Sequence, residues 1–81
     1  MNQMEIKVKR YRCHKEVLAT PMSRGIYNKL RGWEVPADED PSDEGYLVEY
    51  LDGGKPNHPD FDGYISWSPK DVFEAGYSEM S

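Results

Sequence analysis

The chain has a single cysteine, Cys13, in 81 residues, which excludes an internal disulfide. It has two histidines and no paired Cys/His spacing, so a structural zinc site is not expected either. Long apolar runs are missing as well. The N-terminal M-N-Q-M-E-I-K-V-K-R alternates charge with apolar residues, and no stretch approaches the length of a signal-peptide core or a membrane span. A lone thiol with no export signal leads us to expect a cytoplasmic protein with no membrane partner. Aliphatic residues are few too. The hydrophobic share is 37%, yet aromatics reach 12%, which argues for a packed core built on large rings rather than for disorder. A chain this short forms one domain, residues 1–81, and buries only about 60% of its unfolded surface. Homo-oligomer formation is one way for such a domain to bury more.

Basic residues are scarce only in the second part of the chain. Residues 1–31 hold eight bases against Glu5 and Glu16, and residues 32–81 hold Lys55 and Lys70 against thirteen acids. The two parts carry +6 and −11, which gives the net −5. A basic strand lying beside an acidic one would cancel part of this field. The acidic excess cannot be cancelled internally and is expected to steer partners. It also makes nucleic acid a poor partner, despite the aromatic among cations in K-V-K-R-Y-R, because phosphate neutralisation supplies most of such affinity.

Several stretches carry local structure. Glu5–Arg12 (E-I-K-V-K-R-Y-R) alternates with period 2 and reads as a half-exposed strand; the pattern leaves open whether residues 4–20 form one strand or two. Ser23 is placed to cap a short helix carrying Ile26, Tyr27 and Leu30, weakened by Gly25 and ended by Gly32. Residues 36–45, P-A-D-E-D-P-S-D-E-G, form an acidic loop with two prolines. Tyr46–Leu51 and Gly63–Trp67 are strands, the first with Tyr46, Val48 and Tyr50 inward and Glu49 outward. The turn-rich residues 52–63 join them as a long hairpin. Ser68, Pro69 and Asp71 make a helix start with a capping box, Val72, Phe73 and Tyr77 packing back and Gly76 closing. The expected architecture is α+β: a three-stranded, mainly antiparallel sheet with two short helices on one face.

The C-terminal pattern G-Y-L-V-E-Y-L-D-G…G-Y-I-S-W-S-P-K-D-V-F-E-A-G-Y, with the opening Y-R-C-H-K-E-V-L-A, resembles small uncharacterised phage and prophage proteins over about half the chain. This chain departs from the shorter-turn members by the insertion G-K-P-N-H-P-D-F-D. The resemblance carries no catalytic residues. It implies a phage accessory protein, working in the cytoplasm of a bacterial host, that acts by binding a host or defence protein, with inhibition of that protein as one form of the action. His58-Pro59-Asp60 also matches the tripeptide of J-domain co-chaperones, but there it joins two helices and here it lies in a turn between strands.

The chemistry-bearing residues point the same way. Cys13, His14, His58, Asp60 and Asp62 lack a metal-ligand spacing, and neighbours on a strand face opposite sides, so Cys13 reads as a buried thiol and His14 as exposed. Asp38, Glu39, Asp40, Asp43 and Glu44 lack both the calcium-loop order and the paired environments of acid–base catalysis. Trp33, Tyr50, Phe61, Tyr64 and Trp67 read as core, with a stacking platform for a nucleotide or other small ligand as the alternative. No Gly-rich phosphate loop accompanies them, because D-G-G-K precedes no helix. We therefore expect a non-enzymatic binding protein without cofactor or metal. Its expected contact residues are Asp38, Glu39, Asp40, Asp43 and Glu44 of the acidic loop and Asn57, His58, Asp60, Phe61 and Asp62 of the long turn. A small-ligand binder and a minor virion or assembly component are the other classes considered.

Overall fold

A computed structural model describes residues 5–80. The element order is β1 (Val17–Pro21), α1 (Arg24–Arg31), β2 (Gly45–Tyr50), β3 (Ile65–Pro69) and α2 (Lys70–Gly76). The strands form one antiparallel sheet in the order β1-β2-β3, with Ala19 opposite Val48 and Val48 opposite Ser66. The α+β class with three antiparallel strands and two short helices is as expected. Among the described residues, no helix is long and apolar enough to cross a membrane.

Strand alternation divides the sheet into two faces. On one, Leu47 and Ile65 pack against Tyr27 of α1, with Met22, Leu30, Phe61 and Trp67 around them. On the other, Tyr46 stacks on Phe73 of α2 at 4.3 Å, and Phe73 stacks on Tyr77 at 4.6 Å. The helices therefore divide between the two faces instead of sharing one, because β2 is apolar on both sides: Leu47 is 5% exposed and Val48 2%. Glu49 lies on the α1 face with Leu47, where its carboxylate accepts the Gly63 N–H at 2.9 Å. The expected inward set of Tyr46, Val48 and Tyr50 thus covers only the α2 side.

The first helix forms as its caps predict. Ser23 Oγ accepts the Ile26 N–H, and Gly32 closes the helix in the left-handed region at φ 74°. Gly25 is there for close approach. Its N–H donates to the Pro41 carbonyl at 2.8 Å, and a methyl group at Gly25 would sit 2.9 Å from Pro41 atoms.

Further expectations fail. Residues 5–16 form no strand and are exposed, since an edge pattern without a pairing partner cannot fill its hydrogen bonds. Cys13 is exposed, not buried. Ser68 stays in β3 and makes no cap for α2, which starts only at Lys70. Gly76 is the last helical residue without positive φ, Tyr77 following as the cap, and Val72 is 65% exposed.

Candidate functional site

The acidic loop is a shaped object. Three main-chain bonds tie it to the start of α1 and the end of β1: Met22 N–H to Gly45, Arg24 N–H to Asp43, and Gly25 N–H to Pro41, all 2.8–2.9 Å. Two turns within it are closed by Glu39 N–H to Pro36 and Asp43 N–H to Asp40. Asp40 Oδ1 accepts from both the amide and the hydroxyl of Ser42, at 2.9 and 2.7 Å. Those two donors favour the charged form, so the Asp40 carboxyl titrates below its ordinary value.

Arg24 stands at the centre of the loop. It donates to Glu39 at 3.0 Å and to Asp43 at 3.4 Å, and its guanidinium lies over the Trp67 ring at 4.5 Å. Glu39 and Asp43 are therefore partly neutralised within the chain. Asp38, Asp40 and Glu44 are exposed and, among the described residues, meet no Lys or Arg within ion-pair distance.

The long turn is held from inside. Asn57 donates to the Ile65 carbonyl at 2.9 Å and accepts the Ile65 N–H at 2.8 Å. His58 Nε2 lies 3.1 Å from the Leu30 carbonyl, and its Nδ1 accepts the Asp60 N–H at 3.1 Å. The ring also meets Phe61 edge-on at 5.5 Å, and Phe61 joins the α1-side core. Asn57, His58 and Phe61 thus build the turn, and the exposed carboxylates it offers are Asp60 and Asp62. Nothing in the local sequence identifies this division, because the partners of Asn57 and His58 lie 8 and 28 residues away.

The aromatics are partly covered by the chain's own cations. Beside β3, a shallow hollow of about 510 Å³ is bordered by Trp67, Trp33 and Tyr64. Arg24 covers one face of Trp67, and Arg31 covers one face of Trp33 at 4.3 Å while donating to Tyr27 Oη at 2.7 Å. Trp67 Nε1 donates to the Met22 carbonyl at 2.7 Å, which anchors the ring as a strut between β3 and the end of β1. Of the rings expected in the core, Phe61 and Trp67 pack against it, whereas Trp33 is 52% and Tyr64 46% exposed, and the arginines stacked on Trp33 and Trp67 have no signal in the local sequence.

Among the described residues, no three His, Cys, Asp or Glu side chains converge as metal ligands would. Comparison with protein-family models, curated proteins and solved structures finds no match to this chain, so its function is argued from the geometry above.

Proposed function

We propose that this chain is a phage-derived accessory protein that binds, without catalysis, a host or defence protein through its acidic surface. The observation that carries this reading is the acidic loop itself. Solvated charge runs are ordinarily loose, but here six main-chain bonds hold the loop in one shape, the five described above and Lys70 N–H to the Glu44 carbonyl at 3.0 Å, with Asp38, Asp40 and Glu44 facing solvent. A preordered surface loses less conformational entropy on binding than a mobile one. Its charge favours a basic partner, by steering encounter and by disfavouring acidic competitors.

Support for a protein partner over a nucleotide comes from the aromatics. Trp67 and Trp33 each have a ring face occupied by an arginine of the same chain, so a stacking base would have to displace it or use the other side.

The test is affinity capture from a bacterial host lysate, with wild type and an Asp38→Asn/Glu44→Gln/Asp60→Asn/Asp62→Asn variant side by side. These four carboxylates hold no ion pair with Lys or Arg among the described residues, so the fold should survive their neutralisation. A protein captured by wild type and lost with the variant supports the reading. Equal capture by both would remove the acidic surface from it.

A further inference from the structure

The two edges of the sheet are finished differently. At β3, Tyr50 N–H donates to the Tyr64 carbonyl, so alternation turns the backbone groups of Ile65 and Trp67 away from β2. Asn57 takes both groups of Ile65, and Pro69 has no N–H to offer. That edge is nearly closed.

At β1, Met22 N–H donates to the Gly45 carbonyl, so Leu18 and Thr20 face β2 and Val17 and Ala19 face outward. Among the described residues nothing meets the outward N–H and C=O groups of Val17 and Ala19. An open edge of this kind is a template for another strand. Beside it lies an open groove of about 1010 Å³. Tyr46, Phe73 and Tyr77 give the groove an aromatic wall, and Glu16, Glu74 and Glu79 give it three negative charges. Lys15, which also borders it, is engaged by Asp52 at 2.8 Å.

A strand that fits this edge is present in the same sequence. Glu5–Arg12 has strand alternation, and its four cations and one acid give +3 against the groove's −3. Ile6 and Val8 share one side with Arg10 and Arg12, so apolar and cationic groups would enter the groove together. In the single chain this segment is wholly exposed, with Ile6 79%, Val8 89% and Tyr11 85% accessible. It does not turn back onto its own β1. Lys15 stands across from Asp52, continuing the β1–β2 register past Val17–Tyr50, and C-H-K-E contains no turn-forming residue. The radius of gyration, 16.4 Å, exceeds the roughly 12 Å of a compact chain of this length, as a projecting arm requires.

We propose that Glu5–Arg12 of one copy adds as a fourth strand to the β1 edge of a second copy, its Ile6/Val8 side lying in the Tyr46–Phe73–Tyr77 groove. The arm, about 27 Å when extended, is longer than the roughly 17 Å of β1 and can pair along all of it. This surface is separate from the acidic loop, and the two can be tested apart.

The experiment is sedimentation of the full chain over a range of concentrations and salt. The expected result is a dimer that weakens as salt rises. Ala19→Pro removes an outward donor without touching the β1–β2 bonds, and Ile6→Asp/Val8→Asp spoils the arm while leaving the domain alone. Each variant should be monomeric, and the circular dichroism spectrum of the arm variant should lose only the β-strand signal of the added arm. An equimolar mixture of the two should associate, because one supplies the arm and the other the edge. A monomeric wild type, a dimer that survives both sets of substitutions, or a mixture that stays monomeric would each overturn the proposal.

Discussion

Asn57 binds Ile65 through both ends of its side-chain amide, at 2.9 and 2.8 Å, and so occupies the place of a fourth strand beside β3. Ile65 is fully buried, and this pair of bonds satisfies its backbone at the sheet edge while anchoring the long turn. One side chain thereby links the core to the loop that carries Asp60 and Asp62.

Asn57→Ala should lower stability by about 1–3 kcal/mol, the cost of leaving a part-buried donor and acceptor unmet. Asn57→Asp should be no better, because it sets an acceptor against the Ile65 carbonyl. Urea denaturation measures both. A change within a few tenths of a kcal/mol for either would show that water replaces the amide without loss.

Gly25→Ala tests how the acidic loop is docked. A glycine in a helix interior normally costs about 1 kcal/mol relative to alanine, so the substitution would stabilise a free helix. Here the new methyl group meets Pro41 at 2.9 Å on both its ring and its carbonyl oxygen. The clash should win, with a loss of about 1–3 kcal/mol and faster amide exchange at Asp43, as overpacking at a backbone contact predicts. A gain in stability would mean that the loop is not held against α1.

Acid titration bears on the same loop. The Asp40 carboxyl lies below its ordinary value of 3.8, first through the Ser42 hydroxyl and then through the Ser42 amide. A carboxylate whose pKa falls on folding contributes stability above its unfolded value, and that contribution is lost as pH drops through the folded one. The Asp40 side-chain resonance should therefore titrate below 3.8 in the folded protein. Ser42→Ala should move the midpoint upward. A midpoint at or above the ordinary value in wild type would mean that the Asp40–Ser42 turn does not persist in solution.

What could be read from the sequence was what short-range chemistry determines. Ser23 and Gly32 bound α1 because a hydroxyl and a missing Cβ act within one turn. β2 and β3 are legible in their β-branched and aromatic residues, and Ile65 and Trp67 do share a face. Leu47 and Val48 defeated the assignment of an inner face, because two adjacent apolar residues suit a sheet covered on both sides as well as one covered on one side. Ser68 fits a cap by type, but the β2–β3 ladder extends through it opposite Tyr46 and takes precedence. Glu5–Arg12 has the pattern of a strand, and a pattern does not supply the neighbour that pairing needs. In the candidate site, the acidic loop is visible as composition, whereas its hold on α1 depends on Gly25 meeting Pro41 and on Arg24 meeting Asp43, which lies 19 residues further along the chain.

The proposed activity is binding of a protein partner through the exposed carboxylates of a preordered surface. Quantitative affinity capture with wild type and the Asp38/Glu44/Asp60/Asp62 neutral variant tests it most directly. A specific host protein should be retained by wild type, released as salt is raised, and lost with the variant. A partner held equally by both chains, with no dependence on salt, would contradict it.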